Sequence, residues 1–303
     1  MPLGRRRQAA GAGAALALGL AALSALGFGA ALVTGRIGLR ALDARGGAAI
    51  SIPSATLLFV AAAPFALDLS GFDAGAMAWF AAVGVFFPAL VTLLTFRSNE
   101  LLGPTVTSAV SGTAPLFALL GAAWLLGERM PGVAAVSALG VVAGVALLSW
   151  RQHGARTPHV ATAALLWPLA GALLRGLAQV GAKAGLAIWA NPFAAGLIGY
   201  LVSSLAVVAA NRVRPSPRRA LTRAGVAWFA VTGVLNGSAV LLMYAALSAA
   251  PVWRVAPIVA CYPLVTALLG AAVLRDEKPS WQMAAGSALT VAAIMLLVAA
   301  PAG

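Results

Sequence analysis

The chain has 303 residues, 62% of them hydrophobic and 9% charged, with a formal net charge of +13. Soluble domains are about half apolar with roughly a quarter of their residues charged, so a water-soluble globule, a disordered chain and a collagen-like repeat are all excluded. The positive charge lies in short gaps between long apolar runs rather than on one face of a soluble domain, which argues against a nucleic-acid partner.

A helix needs about 20 apolar residues to cross roughly 30 Å of hydrocarbon. Cut at its charged and Pro-containing breaks, the chain gives ten segments of that length: 11–34, 48–67, 75–96, 102–126, 132–150, 160–182, 193–211, 224–248, 253–274 and 281–300. They are apolar on all sides, as helices surrounded by lipid or by other helices are. The strand alternation of an outer-membrane barrel is missing. The sequence therefore predicts an all-α integral membrane protein of ten transmembrane helices.

Ahead of the first segment, Arg5, Arg6 and Arg7 resemble the start of a secretory signal. Nine further segments follow and the end of this one joins an internal repeat, so it is read as a retained span. Next to the second and third segments stand Asp43, Asp68 and Asp73, and the remaining acids, Glu100, Glu128, Asp276 and Glu277, also fall in or beside loops. No carboxylate is expected at mid-membrane.

The fourth segment is rich in hydroxyls: Thr105, Thr107, Ser108, Ser111 and Thr113. Such residues suit a partly hydrated cavity and also ordinary helix packing. In the fifth, Gly140 and Gly144 form a GxxxG pair, a close-contact motif that could support a homodimer. His153 and His159 share the next loop, where solvation explains them better than a metal.

The sixth segment carries Arg175, with Gln179 one turn later and Lys183 two turns later on one face. A mid-membrane cation costs about 2.5–3.5 kcal/mol on insertion scales and usually faces protein or a watery cavity. Arg175 either attracts a carboxylate or phosphate of a substrate or snorkels to the interface. Lys183 and its counterpart Arg36 end their helices, where a cation complements the helix dipole.

Asn236, Ser238 and Tyr244 add polar groups to the eighth segment, and Arg254 opens the ninth between Trp253 and Pro257. Pro104, Pro115, Pro251, Pro257 and Pro263 lack a backbone donor and can break the fourth and ninth helices, exposing carbonyls to a cavity. Trp79, Trp167, Phe86 and Tyr262 could wall that cavity or pack at helix surfaces. Cys261, the only cysteine, has no disulfide partner in the chain. No phosphate loop, HExxH motif or paired-cysteine site is present, so no cofactor is implied.

Self-comparison gives the most specific signal. The hexapeptide Ala118–Ala123 recurs at Ala267–Ala272 in a register that also aligns Glu128 with Glu277 and Arg129 with Lys278. The same register, drifting by two residues, pairs Pro104 with Pro251, Pro115 with Pro263, Gly29 with Gly176 and Arg36 with Lys183. The chain is thus two halves of five spans, 1–155 and 156–303. An odd number of spans per half inverts the second half, a design typical of transporters that bind at the repeat interface.

The five-plus-five duplication, with Pro104 to Pro115 followed by Gly127-Glu128-Arg129 and echoed from Pro251 through Pro263 to Asp276-Glu277-Lys278, resembles the EamA-type branch of the drug/metabolite transporter superfamily. The resemblance implies alternating access around a central cavity lined by the first, third, fourth, sixth, eighth and ninth spans, with the fifth and tenth at the periphery. It also implies export of a small organic metabolite, with amino acids or related carboxylates first. Sugar-phosphate or nucleotide-sugar exchange is the second reading, and a membrane enzyme or a scaffold are the competing classes. Antiporters of the small multidrug type, similar to one half of this chain, depend on a buried Glu that has no counterpart here. On these grounds the candidate substrate-binding residues are Arg175, Gln179, Ser108, Ser111, Asn236, Tyr262 and Arg254.

Basic residues accumulate in cytoplasmic loops. The face bearing the termini holds Arg5, Arg6, Arg7 and Arg129 with Lys183 and Arg254 at helix ends, whereas the other face holds thirteen cations, five of them between Asn211 and Arg223. The resemblance implies a plasma (inner) membrane, and the count predicts that the termini lie outside.

Overall fold

The computed structural model describes residues 3–149, 162–213, 222–274 and 281–299. All the regular structure there is helical: α1 (Leu3–Gly38), α2 (Ala44–Ala66), α3 (Ala74–Phe86), α4 (Ala89–Ser111), α5 (Ala114–Leu125), α6 (Gly132–Ser149), α7 (Leu166–Ile188), α8 (Pro192–Val213), α9 (Arg223–Ala249), α10 (Val252–Val259), α11 (Tyr262–Leu269) and α12 (Trp281–Ala299). The junction between the halves, with His153 and His159, lies outside the described residues, as do Asp276, Glu277, Lys278 and the side chain of Thr105.

Eight helical stretches among the described residues are long and apolar enough to cross a membrane, while Gly132–Leu147 and Ala285–Ala299, in α6 and α12, are shorter apolar helices. The ten expected segments thus become eight of spanning length and two shorter ones.

Polar residues that fall between the apolar runs start the helices. Asp43 accepts from Gly46 N–H at 2.9 Å and Asp73 from Ala76 N–H at 2.8 Å. Asn191 and Thr222 do the same for Ala194 and Gly225. Each side chain fills one of the donors that a helix N-terminus leaves without a partner.

The third and fourth segments depart from the sequence expectation. The expected loop between 96 and 102 is helix, and the breaks fall instead at Phe87–Pro88, between α3 and α4, and at Gly103 (φ 80°, ψ 170°) just before Pro104. Arg97 and Glu100, the charges that suggested a loop, pair with each other at the helix surface, while their neighbours turn inward: Ser98 Oγ lies 2.9 Å from Thr107 Oγ1, and Asn99 Nδ2 donates to Leu32 O at 3.1 Å. The proline breaks of the fourth and ninth spans occur as expected, at Gly112–Thr113 ahead of Pro115 and at Ala260–Cys261 ahead of Pro263.

The packing is two-fold. α1 lies along α9 as α7 lies along α4, α10 and α11 lean on α1 as α5 leans on α7, and α6 pairs with its counterpart α12. Exchanging the halves maps each contact onto another. Close approach comes from small residues. Ser24 Oγ donates to Ala239 O at 2.7 Å, and a Cβ on Gly27 would sit 2.9 Å from that of Ala239. Gly29 abuts Tyr262 O and Val265 at the start of α11, and its repeat partner Gly176 abuts Ala114 O and Phe117 at the start of α5. Gly140 faces Ala293 and Gly144 faces Gly286 O and Thr290, so α12 covers the GxxxG surface within the chain.

Candidate functional site

A narrow cavity, with about 30 Å³ of free space in this conformation, opens between α1, α4, α7, α8, α9 and α11. Arg175 from α7 projects into it and is 8% exposed. Its guanidinium lies 5.0 Å from the ring centre of Phe28 and 5.6 Å from that of Tyr262. The two aromatic faces offset part of the cost of a desolvated cation. Arg175 Nε and the Tyr200 hydroxyl, both on the cavity wall, and Gln179 Oε1 nearby on α7 have no hydrogen-bond partner among the described residues, while the hydroxyls of Tyr262 and Ser111 interact with each other. Buried polar groups are nearly always paired, so two open donors on one wall are available to a ligand.

Among the residues singled out from sequence, Arg175, Asn236 and Tyr262 line the cavity together. Gln179 and Ser111 are buried without lining it, Gln179 with an unpartnered oxygen, and Ser108 is fully buried. Arg254 stacks its guanidinium 4.9 Å over Trp253 and is not part of the lining. Trp79 and Trp167 lie on the outer surface and Tyr244 is packed in the core, so none of them walls the cavity.

Sequence reasoning missed Phe28, Thr92, Thr95, Phe96 and Tyr200, which complete the wall together with Phe87 and Pro88. Phe28 could have been found: it precedes Gly29, whose alignment with Gly176 sets Phe28 opposite Arg175. Tyr200 brings in the seventh span, which the family resemblance left out. Thr92, Thr95 and Phe96 follow from the break at Phe87–Pro88, which begins α4 beside the cavity.

Toward the face that bears the N-terminus, two charges tie off the junction of α9 and α10. Pro251 has no N–H to give Leu247 O. Lys183 Nζ supplies that bond across the helix boundary, at 2.6 Å, and another to Ala250 O at 3.0 Å. Glu128, close enough for its charge to act on Lys183, accepts the first N–H of α10, that of Val252, 3.1 Å from each carboxylate oxygen. An acid at a helix N-terminus and a cation at a C-terminus both complement the dipoles. On the opposite face Arg36 donates to Asn99 O at 3.0 Å, four residues before the Gly103 kink.

The other described acids also serve local structure. Glu100 pairs with Arg97 at 2.7 Å. Asp68 accepts from the backbone and hydroxyl of Ser70, bonds that hold its carboxyl below the usual carboxylate range.

A sequence profile described as the EamA-like transporter family matches residues 15–150 and again residues 162–299. Among solved structures, a crystal structure described only as that of a protein is similar at 18% identity and a TM-score of 0.72, over 91% of this chain and 94% of that one. At that identity the likeness speaks for the fold. No curated protein matches the sequence.

Proposed function

The chain belongs to the EamA-like transporter family, and we propose that it is a secondary transporter exporting small organic metabolites that carry a carboxylate, by alternating access. In this reading α6 and α12 also cross the membrane, which gives ten passes in two halves, 1–155 and 156–303, inserted in opposite senses. Rocking of one half against the other exposes the cavity to each side in turn. Arg175 holds the carboxylate, while Asn236 and Tyr262 position the rest of the substrate.

One observation carries the reading: a buried guanidinium with an unpartnered Nε, set in a cavity at the interface of the halves. Snorkelling, the bland alternative, would carry the charge out to the interface. Here it lies against the rings of Phe28 and Tyr262 instead, which are themselves in edge contact.

Lys183 and Glu128 then act as a closure on one face. They bind the broken junction at Pro251 and must release it when that side opens. In this reading that face lies outside and the loop 211–223 in the cytoplasm of a plasma membrane, an orientation the loop charges favour.

Purified protein in liposomes, challenged with labelled carboxylic acids, tests the proposal. The wild type should exchange at least one of them, and Arg175→Leu should reduce that exchange at least tenfold while the protein still folds. Unchanged exchange by Arg175→Leu would remove Arg175 from the site.

A further inference from the structure

We infer that the cavity selects a monoanionic organic acid with a flat apolar body, and rejects zwitterions and dianions. The inference rests on the reading of Arg175 as the anion-holding group of a carrier, and it follows from the balance of charge in the wall.

Among the described residues Arg175 is the one charged side chain of the lining; Thr92, Thr95, Asn236, Tyr200 and Tyr262 are polar but neutral. Two other cations near the bundle interior are already engaged, Lys183 on Leu247 O and Ala250 O, and Arg254 on Trp253. The described acids are engaged too, at helix starts, in the Ser70 turn and on Arg97. The site therefore offers one positive charge and no negative one.

An amino acid would neutralise Arg175 with its carboxylate and leave its ammonium stripped of water with no acid to meet. A desolvated, unpaired charge is among the most costly groups a protein interior can hold. A phosphate monoester fails in the opposite sense, since its second negative charge would face only neutral donors. A monocarboxylate leaves nothing over. Its oxygens match the Nε–H of Arg175 and the hydroxyl of Tyr200, which have no partner among the described residues, and hydrogen bonds to an ionised group are the strong ones. The rings of Phe28, Phe87, Phe96, Tyr200 and Tyr262 set the shape of the remainder, because aromatic surfaces favour a planar partner in offset or edge contact.

Four probes that share a benzene ring separate these charge states: 3-phenylpropionate, L-phenylalanine, 2-phenylethylamine and phenyl phosphate. Their equilibrium binding to the purified full-length chain in detergent is measured at pH 7.5 by calorimetry. We expect 3-phenylpropionate to bind at least tenfold tighter than the other three. Arg175→Lys, which keeps the charge, should preserve the order, and Arg175→Gln should lower 3-phenylpropionate to the level of the rest. Phenylalanine or phenyl phosphate binding as tightly as 3-phenylpropionate, or no binding of 3-phenylpropionate, would overturn the inference. The wild-type series alone decides this should Arg175→Gln not fold.

Uptake of the same probes into proteoliposomes, set against protein-free vesicles, separates this inference from the carrier reading. Phenylalanine carried as fast as 3-phenylpropionate sinks the selectivity and leaves the carrier standing. The expected binding order with no protein-dependent uptake supports the selectivity and sinks the carrier.

Discussion

Phe28 and Arg175 hold the same position in the two halves, 147 residues apart, and the ring of the first faces the guanidinium of the second at 5.0 Å. The repeat has kept the place and changed the chemistry. Removing the ring while keeping the position apolar, as in Phe28→Leu, should weaken retention of the cation by about 0.5–2 kcal/mol. A double-mutant cycle on the unfolding midpoint with Arg175→Leu measures it, and additive effects would show that the two groups do not interact.

Arg175→Leu is expected to separate stability from function. Loss of a buried cation removes an insertion cost of about 2.5–3.5 kcal/mol, so the variant should unfold at or above the wild-type temperature while losing anion binding. A fall in both together would assign Arg175 to the scaffold.

At the junction of α9 and α10, Lys183→Met leaves Leu247 O and Ala250 O without the donor that Pro251 cannot supply. The closure should loosen on that face. With Cys261→Ala as background, Ala250→Cys should react several-fold faster with an impermeant maleimide when Lys183→Met is added. Glu128→Ala should act in the same direction and cost about 0.5–2 kcal/mol, the usual value of a helix N-terminal acceptor.

Gly29 and Gly176 offer a test of the two-fold packing. Each meets backbone and side-chain atoms at the start of a helix that follows a proline break, α11 in one case and α5 in the other. Alanine at either place forces those contacts apart, at about 1–3 kcal/mol. Thermal unfolding should show losses of similar size for Gly29→Ala and Gly176→Ala.

Much of this architecture was legible in the sequence because burial in lipid leaves a coarse record. The apolar runs, the aligned Pro115 and Pro263, and the pairing of Gly29 with Gly176 follow from helix length, lost donors and close packing. The loop expected after Phe96 was misplaced because the charges of Arg97 and Glu100 interrupt the apolar run, yet they pair on the helix surface while Ser98 and Asn99 bond inward to Thr107 and Leu32 O. Arg175 was visible as a misplaced charge. The aromatic wall was not, since Phe28, Phe96 and Tyr200 are ordinary residues in an apolar chain and only their convergence sets them apart. Lys183 and Glu128 were legible as helix-end charges, but each serves a helix other than its own.

No acid of the described residues lines the cavity, so nothing in that wall obliges a proton to travel with the substrate. Collapsing a pH gradient with nigericin in symmetric potassium, which leaves the membrane potential unchanged, should change the rate of protein-dependent uptake by less than twofold. A strong dependence would require a proton-carrying group elsewhere in the bundle.

That lone guanidinium has an electrical meaning as well. A carrier that returns unloaded, with Arg175 fixed to its frame, moves one net negative charge for each monoanion it releases. A membrane potential of 100 mV, negative inside, acts on such a charge with about 2.3 kcal/mol, an outward concentration ratio of roughly fifty at equilibrium. The resting voltage of the cell would then power expulsion by itself, and direction would be set by the sign of the solute rather than by any partner ion.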